Sequence, residues 1–435
     1  MSPQPSHKTW LGIPANVWMV GLVTFLKNSS SVVLVIFCPF YLSHVLGLSM
    51  THLGALEGGV EAASFFSRIL SGTLSDSIRR RKPVLMMGYG LSWLARLFLS
   101  LSTSVTGIVF SRTCERLGNG IQASPRDALV GDFTTPHNRG ACFGMRQTLT
   151  VSGSVLGAAL AMWFMSASNN DYATLFWLTL IPSTLSIIVL ALFVKDKVLQ
   201  RKQNAPAFCW KKFLRDIRKD IVLLPLSFWK LTALSTLVAL SNFGIYFLTE
   251  RAHMLGLSTS HAPLIMIIQS LATALFAFPL GRLADRWGRR RMMVFGLVCL
   301  AAGDFGMAFI PTLWGIGVCV ILWGLQLGVI INSISAYVTE LVPEKIRGTG
   351  FGVLQFCNGL GTLAANILTG RLWERGGWWP FELPDLLGGL AGPKLAFGVA
   401  GLWPLLGLVL IPLFLPKRDE TNRLAARRQG AHPPT

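Results

Sequence analysis

Charge is scarce in this sequence: only 14% of its 435 residues are charged, with 20 acidic side chains against 39 Lys and Arg. A soluble domain is roughly 25% charged, so there is too little charge here to clothe a water-exposed globule of this size. Histidine is equally sparse, with 7 residues scattered along the chain. No His-x-x-x-His pair, Gly-x-Ser-x-Gly elbow or Cys-His pairing offers a metal site or an activated nucleophile. The expectation is therefore no enzyme, no catalytic residue, no metal and no cofactor. A Gly-Lys-Ser/Thr phosphate loop is also missing, as is a cytoplasmic domain able to hold one, which excludes an ATP-driven pump. The seven cysteines (Cys38, Cys114, Cys142, Cys209, Cys299, Cys319 and Cys357) have no paired spacing and fall in apolar spans or among cytoplasmic charges. They predict neither disulfides nor a zinc site.

What the chain has in quantity is apolar length: 52% of it is hydrophobic and 43 residues are glycine. Runs near 20 residues recur, the length that crosses a hydrocarbon layer of roughly 30 Å. They predict an all-α polytopic membrane protein of about twelve helices in two pseudo-symmetric six-helix bundles. In the first half the spans are Val17–Leu42, Thr51–Leu74, Pro83–Leu101, Thr106–Ala123, Ala141–Met165 and Thr174–Val194. In the second they are Phe228–Leu248, Ala262–Leu283, Met292–Phe309, Leu313–Val338, Thr349–Leu372 and Leu395–Leu415. The first run is too long, and lacks the small-residue cleavage pattern, to be a removable signal peptide, so it is expected to stay as a span.

The formal charge of +19 could suggest nucleic acid, but its distribution says otherwise. Arg79–Lys82, Arg126, Arg139, Lys195–Lys219, Arg286–Arg291, Lys345, Arg347 and Lys417–Arg428 fall in alternate connections or at the chain end. Cations collect on the cytoplasmic side, so both termini and the central connection are expected there, in a multi-pass protein of a bacterial inner membrane. The division is a bundle over 1–195, a basic linker over 196–225, a second bundle over 226–416 and a basic tail over 417–435. The linker alternates cations with Phe208, Trp210, Phe213, Leu214, Ile217 and Ile221, as either an amphipathic helix on anionic lipid or a solvated connection would. The tryptophans of Gly376–Pro380 suit an outer loop at headgroup level.

Two short stretches echo each other. Gly281-Arg-Leu-Ala-Asp285-Arg-Trp-Gly288-Arg289-Arg-Arg follows the second span of the second half, and Gly72-Thr-Leu-Ser-Asp76-Ser-Ile-Arg-Arg80-Arg-Lys follows the second span of the first. Each is a burst of charge in a tight turn, with a glycine that lets helices approach and an acid placed to accept amide or arginine hydrogen bonds. Their equivalent placement marks two repeated halves.

On these turns the chain resembles the major facilitator superfamily over nearly its whole length. The second copy fits the family's loop pattern fully, whereas the first carries Arg79 where the pattern has glycine. Leu56–Ala62, Arg116–Ile121, Ser124–Leu129 and Phe247–Ala252 resemble a bacterial permease branch of that family. The branch often has aspartate and glutamate where this chain has Asn28 and Val32. Exporters of the family often carry a Gly-Pro pair on the fifth helix, where this chain has Gly157-Ala158. The resemblance implies solute transport by alternating access and assigns Arg116 to an element associated with coupling. It also implies a gating role for Gly72, Asp76, Arg80, Gly281, Asp285, Gly288 and Arg289.

Charge inside spans costs roughly 2.5–3.5 kcal/mol per group on insertion scales, so each such residue needs a partner, a wet cavity or a route to the interface. Glu57 and Glu61 share a helix face, Arg112 and Arg116 share another beside Glu115, and Lys27 lies near the middle of the first span. Either these groups wall a cavity that binds an anionic or zwitterionic solute, with one carboxylate exchanging a proton, or they neutralise one another between packed helices. Asn242 and Asn332 are the uncharged candidates of the second half. Arg68, Arg96 and Arg146 are read as packing or snorkelling groups, and Gly153 and Gly157 as a close-packing stripe.

The expected function is a secondary active transporter of a small organic solute, an amino acid, organic acid or siderophore, in the lipid bilayer. It is expected to be coupled to protons, to act as a monomer and to bind no nucleic acid. The competing readings are a drug or metabolite efflux antiporter and, in another class, a transporter-like receptor or lipid translocator.

Overall fold

In a computed structural model, the described residues are 9–10, 13–78, 80–134, 138–196, 215, 218–343, 346–374 and 392–414. They form fourteen principal α-helices, a π-helical turn over Tyr41–Val45, a 3-10 turn over Thr259–His261 and one two-residue antiparallel strand pair, Thr9–Trp10 with Ile13–Pro14. The helices are α1 (Ala15–Phe40), α2 (Met50–Ile78), α3 (Arg81–Leu101), α4 (Val105–Asp132), α5 (Arg139–Ala167), α6 (Tyr172–Leu178) and α7 (Leu180–Leu192). They continue as α8 (Leu226–Ala239), α9 (Ile245–Met254), α10 (Pro263–Trp287), α11 (Arg289–Phe309), α12 (Leu313–Leu341), α13 (Arg347–Trp373) and α14 (Pro393–Phe414).

Fourteen pieces make twelve crossings, because α6 runs into α7 across Thr179 and α8 and α9 are two parts of one span. Nine of the described helical stretches are long and apolar enough to cross a membrane. The others are α2 and α4, which have the length but carry the ionisable groups of the first half, and the interrupted α8–α9 span.

Contacts divide the chain into two units. One comprises 1–48, 59–208 and 257–267; the other comprises 49–58, 209–256 and 268–435. In the first, Val17, Val20 and Val23 of α1 meet Leu85 and Tyr89 of α3, Leu129 and Val130 of α4, Cys142 of α5 and Leu190 of α7 in a continuous apolar core. The glycine stripe of α5 does what its spacing predicts. A Cβ at Gly153 would lie 2.3 Å from the Phe25 carbonyl oxygen, and one at Gly157 only 2.1 Å from that of Ser29. Here α5 and α1 touch backbone to backbone.

In the second unit the centre is aromatic. Phe243 packs on Trp323 and Phe397 with ring centroids 5.0 and 5.3 Å apart, and Trp373 closes the cluster against Phe247 and Phe397 at 5.6 and 5.7 Å. Below it Asp304, fully buried on α11, accepts hydrogen bonds from Trp323 Nε1 at 2.8 Å and Ser241 Oγ at 2.5 Å.

Three expectations change. The fourth span does not stop at Ala123 but runs to Asp132, because Pro125 leaves the helix intact and Leu129 and Val130 beyond it are buried. Arg126 is thus a helix residue and not part of a connection. The seventh span is not continuous: it breaks over Leu240–Gly244, where the Gly244 amide donates instead to Asn366 Oδ1 at 2.9 Å. The charged turns are also shorter than the sequence implies, since α2 and α10 carry Asp76 and Asp285 within their last turns. Of the linker, 215 and 218–222 are helical and the remainder lies outside the described residues, as do the Gly376–Pro380 loop, Arg79 and the basic tail.

Candidate cation-lined site

The site is organised by α4. Ser104 caps its start, its hydroxyl accepting from the Gly107 amide at 3.2 Å. Ile108, Ser111, Arg112, Glu115, Gly118, Gln122, Pro125 and Leu129 are buried, a three-to-four residue period that turns one helix face inward. Gly118 and Gly88 bring α4 against α3: a Cβ on Gly118 would meet Ser92 Oγ at 2.4 Å, and one on Gly88 the Gln122 amide at 2.9 Å. That approach delivers Arg96 of α3 to Glu115.

Glu115 is wholly buried and is the anionic hub. Its carboxylate lies 3.7 Å from Lys27 Nζ, 3.6 Å from Arg96 Nη2 and 3.7 Å from Arg112 Nη1. Asn119 Nδ2 donates to it at 2.8 Å and Ser31 Oγ at 3.4 Å. A carboxylate taken out of water is tolerated only when opposite charge and hydrogen bonds replace its hydration, and here both are supplied from α1, α3 and α4. Asn119 also accepts from Lys27 Nζ and, at 2.7 Å, from Gln122 Nε2. Arg96 also donates to the Ser92 carbonyl at 2.7 Å and to Ser31 Oγ at 2.5 Å. It is a packed residue that does not snorkel.

Toward the open side the pairs are wetter. Arg116 of α4 lies 3.0 Å from Glu61 of α2, their side chains 20% and 31% exposed. Asp127 is shared by Arg126 at 3.2 Å and Arg146 of α5 at 3.6 Å. Between these groups is a cavity of about 230 Å³, wholly within the first unit. Its charged wall is Lys27, Arg68, Arg116 and Arg126; no carboxylate is among the described lining residues. Asn28 of α1 lines it too and is fixed by donations to Ser154 Oγ at 3.1 Å and the Thr150 carbonyl at 3.3 Å.

Of the sequence candidates, Lys27, Glu61, Arg112, Glu115 and Arg116 come together here. Glu57 is half-buried one turn before Glu61 on α2. Asn242 sits in the interruption of the seventh span, half-buried, and Asn332 lies on α12 with its side chain outside the description. In the repeated turns, Gly288 links α10 to α11 at φ +84°, a conformation open to glycine and strained for other residues. Arg289 pairs with Glu340 of α12, and Arg80 is exposed before α3. Gly72, Asp76, Gly281 and Asp285 are helical, with side chains outside the description.

Sequence reasoning missed Arg126 and underrated Arg68. The signal for Arg126 was present: Arg116, Asn119, Ala123 and Arg126 repeat at three and four residues and share one helix face, all lining the cavity.

The Major Facilitator Superfamily model matches residues 18–260 and 231–435, nearly the whole chain. The chain belongs to this superfamily. Among its superfamily relatives, an uncharacterized MFS-type transporter of Methanocaldococcus jannaschii is 27% identical over 388 residues, covering 88% of this chain and 94% of the relative. The multidrug resistance protein MdtG of Serratia proteamaculans is 22% identical and covers 85% and 89%. Two solved folds are similar: the nucleoside transporter NupG, at TM-score 0.72 and 15% identity over 92% of this chain and all of that one, and a peptide transporter POT, at TM-score 0.75 and 14% identity over 96% and 97%. This facilitator is therefore a multi-pass transporter and not an enzyme. At those identities the solved structures speak for its fold alone.

Proposed function

We propose that this facilitator moves a small anionic or zwitterionic organic solute, an amino acid, organic acid or siderophore, across a bacterial inner membrane by alternating access, coupled to protons. The observation that carries the reading is the cavity walled by Lys27, Arg68, Arg116 and Arg126 without a lining carboxylate among the described residues. Cations beside a membrane-embedded space are costly unless compensated. Glu115, Glu61 and Asp127 compensate Lys27, Arg116 and Arg126 from outside the lining, and an anion in the cavity would add to that compensation from within. Bundles over 1–195 and 226–416 joined by the basic linker over 196–225, with the basic tail and both termini cytoplasmic, fit the positive-inside bias. Gly72, Asp76, Arg80, Gly281, Asp285, Gly288 and Arg289 then form the inner gate, and the protein acts as a monomer.

Glu61 is the coupling group this reading favours, with Glu57 beside it on α2. Arg116 pairs with Glu61, and a solute anion that takes over Arg116 would break that pair and release the carboxylate for exchange. Solute and proton occupancy are thereby linked. The test is uptake of labelled amino acids and organic acids into proteoliposomes under an imposed pH gradient, repeated with Glu57→Gln and Glu61→Gln. Gradient-driven accumulation that one of these variants abolishes supports the reading. Accumulation undiminished in both removes these residues from coupling, and sodium-dependent accumulation replaces the ion.

The similarity to a multidrug resistance protein favours a second reading, efflux by antiport. It predicts gradient-driven loading of inside-out vesicles instead of right-side-out ones.

A further inference from the structure

The charges around the cavity do not balance. Lys27, Arg68, Arg96, Arg112, Arg116, Arg126 and Arg146 put seven cations at or beside the cavity, and the carboxylates described above as pairing with them are Glu61, Glu115 and Asp127. Adding Glu57 to the acidic side still leaves an excess of three. No carboxylate is among the described residues that line the space. Glu115 lies behind Lys27 and Asn119, while Glu61 and Asp127 engage Arg116, Arg126 and Arg146 from outside the lining. Arg68, whose guanidinium carbon lies 5.6 Å from the centre of the Phe65 ring, faces the cavity with no ion pair to a described residue.

We propose that the cavity of the first unit takes a solute bearing two negative charges, a dicarboxylate or a phosphomonoester, held by Arg68, Arg116 and Arg126 with Lys27 at its side. This rests on the reading of the cavity as the solute site and narrows its substrate class. With all seven cations charged, a monoanion leaves an excess of two in a low-dielectric wall, whereas a dianion leaves one. Three guanidinium forks suit planar or tetrahedral oxyanions, which they grip two oxygens at a time. Arg116 and Arg126 are ten residues apart on one helix, roughly 15 Å of rise. Both side chains nonetheless line the same cavity, so a small solute would be met by long side chains converging from two levels of the helix.

The test is thermal unfolding of the purified full-length protein in detergent at constant ionic strength. Succinate and glycerol 3-phosphate are the dianionic probes, and butyrate and glycerate are their monoanionic counterparts. A ligand that binds the folded state alone raises the midpoint. At least one dianion should raise it by several degrees where neither monoanion does, and which dianion does so separates dicarboxylate from phosphate recognition. Arg68→Gln and Arg126→Gln should each weaken the effective dianion about tenfold or more. Arg126→Lys, which keeps the charge and serves as the folding control, should restore part of the loss. No stabilisation by either dianion, equal stabilisation by monoanions, or unchanged dianion affinity in both glutamine variants overturns the proposal. Dianion binding without flux would sink the transport reading alone. Proton-driven uptake of a zwitterion without dianion binding would sink this inference alone.

Discussion

Arg116 and Glu61 stand 3.0 Å apart, joining α4 to α2 through a pair that solvent still reaches. A partly exposed pair of this kind contributes little to stability, about 0–1 kcal/mol, so its two members are available for exchange with a third charge. If Arg116 grips solute, Arg116→Lys should raise the apparent KM for uptake at least several-fold, since lysine keeps the charge and loses the fork. Uptake kinetics at equal expression decide this, and a wild-type-like lysine variant would assign Arg116 to neutralising Glu61.

Glu115 behaves oppositely. It is a buried counter-charge shared by Lys27, Arg96 and Arg112, so Glu115→Gln removes one negative charge from among three cations between packed helices. Breaking a buried pair costs about 3–5 kcal/mol. The variant should lose most of its monodisperse material and unfold at a clearly lower temperature. Size-exclusion profiles and melting curves read this directly, and normal behaviour of both would show that Glu115 is not the hub.

Gly157→Ala should be nearly as damaging for a different reason. Its new methyl would sit 2.1 Å from the Ser29 carbonyl oxygen, and backbone cannot yield as a flexible side chain does. Overpacking of this kind typically costs about 1–3 kcal/mol. Gly144→Ala, on the same helix with nothing within 4 Å of its added carbon, is the matched control and should melt like wild type.

Arg289→Ala separates gating from stability. The pair with Glu340 is 40% exposed on both sides, so its loss should change the unfolding free energy by less than about 1 kcal/mol. Turnover should fall if the repeated turns gate the cavity. An unchanged turnover number at equal expression would leave Arg289 as a surface charge.

The architecture was legible because its carriers are long: apolar runs and two copies of a charged turn survive any error in local detail. The pairing of Lys27 with Glu115 was also foreseeable, since a midspan lysine must find an acid and few were on offer. Arg126 was missed although its spacing from Arg116, Asn119 and Ala123 was there to read, because proline followed by two charges reads as a helix end, and the burial of Leu129 and Val130 one turn later shows that the helix continues. Arg96 was misjudged through distance from the interface, when the deciding fact is the glycine-mediated approach of α3 to α4. The break in the seventh span left no trace in hydropathy, because Leu240, Phe243 and Tyr246 keep the segment apolar through it.

That break has a kinetic consequence. Its amides no longer sit in the helical ladder: Ser241 and Asn242 reach back only three residues, to the Val238 and Ala239 carbonyls at 3.0 Å, and Gly244 depends on the single side chain of Asn366. Hydrogen–deuterium exchange should find two protected segments, 226–239 and 245–254, separated by a fast-exchanging stretch. Asn366→Leu should spread the fast exchange into the first turn of α9, because it removes the acceptor that ends the interruption. The seventh crossing is thus two rods on one joint, and the tightness of that joint is set by a residue more than a hundred positions further along the chain.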